Sequence, residues 1–251
     1  MDGAGKPENE WFVDAFSDLY PLLYAHRDEG SAQKEAEGLR DLLGLDSRES
    51  FILDACCGAG RHAAAFVEMG YHVIGFDLSP VLLAQAMQRE SLSHCLARAD
   101  MRSLPFQEAF DVILSLFTSF GYFADDRDNE QALHEMARVL RPGGRLIIDH
   151  IHRLRLERTL VPHDRRTVDG HDFIQSRRFE GNRIVKEIEA KLKNGECLHV
   201  RESVRLYEPH ELKSLLNDHG FGKVRFCGGF SGEPLTPESD RMIVLAEKGK
   251  G

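Results

Sequence analysis

Apolar positions follow two different rhythms along the chain. Between residues 51 and 149, short apolar runs alternate with stretches in which small and apolar residues recur every three or four positions. FILD (51–54), YHVIGFD (71–77), HCLARAD (94–100), FDVILSLF (110–117) and RLIID (145–149) read as strands. RHAAAFVEM (61–69), stopped by Gly70, reads as a helix, as do VLLAQAMQRE (81–90), opened by Ser79 and Pro80, and residues 129–140, closed by the turn RPGG. Strands alternating with helices predict an α/β fold: a doubly wound, mostly parallel seven-stranded sheet covered on both faces.

The flanks read differently. Residues 11–29 carry an aromatic helical stripe (Trp11, Phe12, Phe16, Leu19, Tyr20, Leu23, Tyr24) interrupted near Pro21, and residues 31–43 predict a second helix, with Ser31 as N-cap and Gly44 as stop. After Ile151 come the strand-like runs DFIQSRRFE, RIVKEIEAKLK and CLHVRESVRLY, separated by Gly181-Asn182 and Asn194-Gly195, which are hairpin signals. Alternation is imperfect over residues 183–193, where a helix is the open alternative. A helix at residues 209–219 and strands FGKVRFCG and RMIVLAEK, flanking a Pro/Gly loop at 231–240, resume the first rhythm. The expected organisation is a helical lid at 1–45, a Rossmann-like core at 46–163 and 208–251, and an antiparallel β-meander at 164–207.

Composition narrows the function. The 251 residues hold 32 Lys and Arg against 41 Asp and Glu, a formal charge of −9, without a basic arm, so recognition of phosphate backbones is not expected. Residues 151–207 depart from this balance, with 13 Lys and Arg against 9 Asp and Glu. The longest uncharged run, residues 112–124, has 13 residues, short of the roughly 20 that cross a bilayer. The N-terminus lacks an apolar signal region, and five cysteines without paired C-x-x-C spacing suit reduced thiols, so the expected location is the cytoplasm.

The chemistry concentrates at strand ends. In FILDACCGAGRHAA the strand ends at Asp54, and Gly58 and Gly60 let the backbone approach a ligand at a helix N-terminus. Asp77 closes the next strand, 17 residues after Gly60, where a carboxylate can accept from two ribose hydroxyls; Asp100 follows the third strand, in reach of an adenine amino group. Gly58-x-Gly60-x-x-Ala63 with a following acid also satisfies the dinucleotide fingerprint, which leaves an NAD-binding oxidoreductase as one alternative. Asp54 weighs against it, because a second carboxylate would repel phosphates and suit a positively charged ligand.

With these motifs in place, the sequence resembles the class I S-adenosylmethionine-dependent methyltransferases of the small-molecule kind, from about residue 51 to residue 248. The carrying motifs are LDACCGAG, with Cys56 where the family pattern has its first glycine, then GFDLS, RADM, FDVILSLFTSFGYF and VLRPGGRLIIDH. The resemblance implies S-adenosyl-L-methionine as cofactor. Its contacts would be Asp54, Gly58 and Gly60 at the loop, Asp77 and Leu78 at the ribose, Asp100 and Met101 at the adenine, Arg61 and Tyr20 at the amino-acid end, and Phe117 beside the sulfonium. It also implies that the β-meander lies over the acceptor, making Arg201, Glu202, Arg205 and Tyr207 acceptor-side candidates; Tyr24, as part of an N-terminal lid, and Phe120 and Tyr122, as part of an aromatic wall, are the further substrate-side candidates.

Asp149-His150-x-His152 adds two chemical readings. His150 is a candidate general base, and the His-x-His pair lacks further ligands at a recognisable spacing, so no metal is expected. The leading expectation is methyl transfer to nitrogen or oxygen of a small metabolite by a monomer or homodimer, with no nucleic-acid or membrane partner. Methylation of RNA or protein, and a non-catalytic cofactor sensor, are the remaining alternatives.

Overall fold

The computed structural model describes Leu23, residues 29–45 and residues 47–250. Tyr20 and Tyr24, with the rest of the aromatic stripe except Leu23, lie outside them. Helix α1 (Glu29–Leu43) leads into β1 (Phe51–Ala55), α2 (Arg61–Glu68), β2 (His72–Asp77), α3 (Pro80–Ala86), β3 (Leu96–Arg98), β4 (Phe110–Ser115), α4 (Asp126–Val139) and β5 (Leu140–Ile151). The chain continues through α5 (Arg153–Thr159), β6 (His163–Val168), β7 (His171–Glu180), β8 (Arg183–Lys191), β9 (Cys197–Arg205), α6 (Pro209–Asp218), β10 (Phe221–Cys227) and β11 (Arg241–Lys248).

Seven strands pair in the order β10-β11-β5-β4-β1-β2-β3, with β11 antiparallel to both neighbours and β1 to β5 mutually parallel. Alternation sorts the side chains. Leu53, Ile113 and Ile148 pack with α4 and α6 on one face, whereas Ile52, Val112 and Ile147 pack with α1 and α2 on the other. Register aligns Ala55 with Phe76 and Ser115, and Ser115 with Ile148, so the segments that follow all leave from one edge. Strand order reverses between β1 and β4, the place where open α/β sheets bind ligands.

The hairpin signals at Gly181-Asn182 and Asn194-Gly195 join β7 to β8 and β8 to β9, and residues 183–191 are strand rather than helix. The sequence reading missed β6, which completes a second, antiparallel sheet in the order β6-β7-β8-β9, and it missed α5. Ser31 lies inside α1 rather than capping it. The RPGG turn is absorbed into β5 as an irregularity between the Phe110–Leu140 and Val112–Arg145 pairs. No helix among the described residues is long and apolar enough to cross a membrane.

Candidate active site

The loop after β1 is built around an acid from the strand itself. Helix α2 opens at Gly60 in the left-handed conformation without a side-chain cap, and the Asp54 carboxylate accepts instead from the Ala63 N–H. A buried carboxylate thus serves the free amides of a helix N-terminus. Burial pushes Asp54 up to about 7; the Ala63 amide pulls it down, Asp77 adds to the rise, and Arg61 opposes it.

Asp77 holds the other side of the loop. Its Oδ2 accepts from the Gly58 N–H and its Oδ1 from the Ser79 N–H, both at 2.8 Å. Burial raises its pKa, while the amides of Ser79, Gly58 and Leu78 lower it. Cys57 donates its N–H to Phe76 O, and the Arg89 Nε donates to Ala59 O, so the loop is pinned along its length. Burial, with Asp77, Asp54 and Asp100 behind it, drives the Cys56 thiol well above its ordinary pKa. Three acids from three successive strand ends therefore bear on one point.

Asp100 is more committed than its sequence position indicates. Its carboxylate takes the Arg102 guanidinium at 2.7 Å and the Arg102 backbone N–H at 2.8 Å. Burial opposes its ionisation, but those bonds hold its pKa below the ordinary value. Arg102, missed from sequence, also reaches Asp128 and lies over the Phe123 ring. Met101 is buried beside it and Leu78 is partly buried, both packed with the core.

Across the edge, Phe117 and Thr118 follow β4 with positive φ of 54° and 63°. Asp149 holds them there, its Oδ2 accepting from the Phe117 N–H and its backbone carbonyl from the Thr118 N–H. Arg61 and Arg241 both lie over the Phe117 ring, at 5.5 and 4.5 Å from its centroid. His62 packs on the same ring and pairs with Glu35 of α1. The sequence reading picked Arg61 and Phe117 but not Asp149 or Arg241; an acid inside the apolar run LIIDHI signals a buried charge in need of a partner.

The remaining candidates form two groups that do not share a surface. Phe120, His150, Arg205 and Tyr207 make a closed cluster: Phe120 stacks on Tyr207, Arg205 lies over the Tyr207 ring, and the Tyr207 N–H donates to His150 Nε2 at 3.3 Å. Burial lowers His150 to about 4, and its 1% exposure and engaged Nε2 leave no lone pair open to an acceptor. That removes the geometric basis for His150 as a general base. Burial also raises the Tyr207 hydroxyl above its ordinary value. Tyr122 is half-buried at the junction with the second sheet, and its carbonyl accepts from Arg183. Arg201 pairs with Glu180 on the sheet face opposite Glu202.

Comparison with known proteins supplies the class. Residues 52–144 match a family described as a methyltransferase domain. The chain is 30% identical over 254 residues to a glycine/sarcosine N-methyltransferase of Halorhodospira halochloris, a match covering 95% of this chain and 89% of that protein. It is 31% identical over 134 residues to dTDP-3-amino-3,4,6-trideoxy-alpha-D-glucopyranose N,N-dimethyltransferase of Streptomyces venezuelae, covering 53% of this chain and 56% of that protein. An S-adenosylmethionine-dependent methyltransferase from Clostridium acetobutylicum shares the fold, with a TM-score of 0.78 at 18% identity, covering 92% of this chain and 96% of that one. The chain belongs to the class I S-adenosylmethionine-dependent methyltransferase family.

The residues present fit that cofactor. A Cβ on Gly58 would make only an ordinary van der Waals contact, with the Leu82 Cδ1 at 3.8 Å, so the loop is not packed tight at this glycine. The groups around the loop are carboxylates that accept and backbone amides that donate, chemistry suited to hydroxyl, amino and cationic groups rather than phosphates. Asp77 would hold the ribose hydroxyls, Asp100 and Met101 the adenine, and Asp54 and Arg61 the amino-acid end.

Proposed function

We propose that this enzyme transfers a methyl group from S-adenosyl-L-methionine to a nitrogen atom of a small metabolite. The observation that carries the reading is the convergence of Asp54, Asp77 and Asp100 on the turn at Gly58 and Gly60, on the edge where β1 and β4 diverge. The choice of nitrogen rests on the relatives whose names specify glycine, sarcosine or an amino sugar as N-methylated substrate.

When bound, S-adenosylmethionine supplies an activated methyl group on a sulfonium. The protein's own work is placement and exclusion of water: the Asp77 carboxylate orients the loop, and Phe117 offers an aromatic wall to a cation. An amine attacks through its free lone pair, so a neutral acceptor needs no base, consistent with the engaged His150. In this reading residues 1–45 act as a lid and residues 164–207 as a cover, with Tyr24, Phe120, Tyr122, Arg205 and Tyr207 shaping the acceptor side.

The acidic charge favours a small acceptor over RNA. All five cysteines are free, which suits the cytoplasm, and the enzyme acts as a monomer or homodimer. Calorimetric titration with adenosylhomocysteine, then labelled-methyl transfer to panels of amines, hydroxyl compounds and RNA, tests the reading. Micromolar cofactor binding with amine labelling is expected; nicotinamide cofactor binding in its place, or labelling of RNA alone, overturns it.

A further inference from the structure

The backbone of the turn at residues 57–60 can be accounted for group by group. The Cys57 N–H goes to Phe76 O, the Gly58 N–H to Asp77 and the Gly60 N–H to Cys57 O. Ala59 differs from its neighbours. Its carbonyl accepts from the Arg89 Nε at 2.8 Å, and its N–H has no partner among the described residues. Because a trans peptide sets each C=O antiparallel to the next N–H, Arg89 and Cys57 O hold the peptide plane between Ala59 and Gly60 from opposite ends. Gly60, with a φ of +75° and no Cβ, offers that plane little resistance to rotation of its own.

Arg89 is in turn held at its root and at its tip. It lies between α3 and a 3₁₀ turn (Glu90–Leu92), a stretch packed so close to the loop that a Cβ on Gly60 would stand 3.1 Å from Ala86 Cβ and 2.5 Å from Leu92 Cδ1. Its two terminal amines meet the Glu29 carboxylate as a fork, Nη1 to Oε2 at 3.1 Å and Nη2 to Oε1 at 2.5 Å. Glu29 is the first residue of α1. One planar guanidinium therefore spans from the glycine turn to the start of the neighbouring helix. Further along, α1 is fixed separately: Glu35 pairs with the buried His62 at 2.8 Å, and a Cβ on Gly38 would stand 3.1 Å from Phe230 O. The Glu29 side chain is 64% exposed, so the fork adds little to stability and acts by fixing direction.

We infer that Arg89 is a positioning residue for the cofactor: it sets the turn that presents the Ala59 amide to the ligand, and through Glu29 it couples occupancy of that turn to the first turn of α1. Glu29 acts on the ligand through Arg89 alone. A ligand that steadies the turn steadies the guanidinium, which steadies the start of the helix. The coupling is reciprocal, so seating α1 strengthens cofactor binding by the same factor. The inference rests on the reading that places the cofactor against Gly58 and Gly60.

The test titrates adenosylhomocysteine by calorimetry into the full chain and its Arg89→Met, Arg89→Lys, Glu29→Gln and Gly58→Ala variants, and follows amide hydrogen exchange with and without saturating ligand. Arg89→Met should weaken binding at least about tenfold, the scale of a hydrogen bond from a charged donor. Arg89→Lys should do the same, because one ammonium does not reproduce a planar fork that bridges carbonyl and carboxylate. Glu29→Gln should weaken binding about threefold on its own and not at all when added to Arg89→Met, a non-additivity that an independent surface charge lacks. Its urea midpoint should match that of the wild type. In the wild type the ligand should slow exchange at the amides of residues 33–36, which bond back to the first turn of α1, at least about fivefold, and Glu29→Gln should abolish that response. Wild-type affinity in Arg89→Met, additive effects in the double variant, or an exchange response that survives Glu29→Gln overturns the inference. Wild-type affinity in Gly58→Ala, or no adenosylhomocysteine binding by the wild-type chain, instead overturns the cofactor placement on which it rests.

Discussion

Arg241 Nη1 lies 2.5 Å from Asp149 Oδ2, and that same oxygen accepts the Phe117 N–H at 2.8 Å. The last strand of the sheet thereby fixes a loop that leaves β4, through an acid on β5. The Arg241 guanidinium also covers the Phe117 and Phe230 rings, so one side chain neutralises the acid and packs the loop it orders.

Arg241→Met should consequently destabilise the fold by about 1–3 kcal/mol, below the full cost of breaking a buried pair because Arg241 is one-third exposed. Urea unfolding gives the value. The Phe117 loop should loosen with it, visible as faster hydrogen exchange at the Phe117 and Thr118 amides. A change under about 0.5 kcal/mol would show that Asp149 does not depend on this partner.

Asp77→Asn keeps a side-chain carbonyl for one loop amide but forfeits the second charged acceptor. Adenosylhomocysteine affinity should fall by about 1.5 kcal/mol, roughly tenfold, the scale of a hydrogen bond to a charged group. Calorimetry checks it, and Asp77→Ala should cost at least as much. Unchanged affinity would take Asp77 out of the site.

Asp54 and His150 give opposite slopes of stability against pH. Asp54, raised to about 7 from 3.8, holds its proton in the fold, so its contribution is complete below about 4 and is lost as pH rises through 7. His150, lowered to about 4 from 6.5, is neutral in the fold, so its contribution is complete above 6.5 and is lost as pH falls through 4. In the wild type the two partly cancel. Between pH 4 and 7, Asp54→Asn should therefore gain stability with pH more steeply than the wild type, and His150→Gln should lose it. Unfolding midpoints at each half pH unit measure the slopes; parallel curves would sink the assignment.

Much of this architecture is legible in the pattern of residues, and the parts that are not have physical reasons. The acids at Asp54, Asp77 and Asp100 stand at strand ends that apolar runs define, and the two hairpins are marked by Gly-Asn and Asn-Gly. Strand β6 reads HDRRTV, with no large apolar residue to alternate, and the short α5 fully buries none of its side chains, so neither leaves a periodic hydrophobic trace. His150 drew attention because histidine is a common base, yet only packing shows that Tyr207 occupies its nitrogen.

Cys56 tests what the turn demands. Its φ is +58°, a conformation that costs an L-residue about 1–2 kcal/mol and a glycine little. Cys56→Gly relieves that strain while removing a thiol packed against the core, so thermal unfolding should change by less than about 1 kcal/mol. Cys56→Val keeps the bulk and adds β-branching, and should lose at least about 2 kcal/mol. Equal stabilities would mean that the positive φ carries no cost here.

Gly58 and Gly60, two residues apart in one motif, are glycines for different reasons, and the difference separates folding from binding. Both have positive φ, +56° and +75°, so each pays a similar strain when given a side chain. A Cβ on Gly60 would stand 2.5 Å from Leu92 Cδ1 and 3.1 Å from Ala86 Cβ, inside the packing of α2 on its neighbours. Gly60→Ala should therefore cost about 3 kcal/mol or more of stability, strain and overpacking together. A Cβ on Gly58 meets only Leu82 Cδ1 at 3.8 Å, so Gly58→Ala should cost about 1–2 kcal/mol and leave the fold intact. If the cofactor lies against Gly58, Gly58→Ala should weaken adenosylhomocysteine at least about tenfold, although it is the milder variant for stability. Paired urea titrations and calorimetry decide it: an affinity loss that merely tracks stability would mean that the ligand does not lie against Gly58.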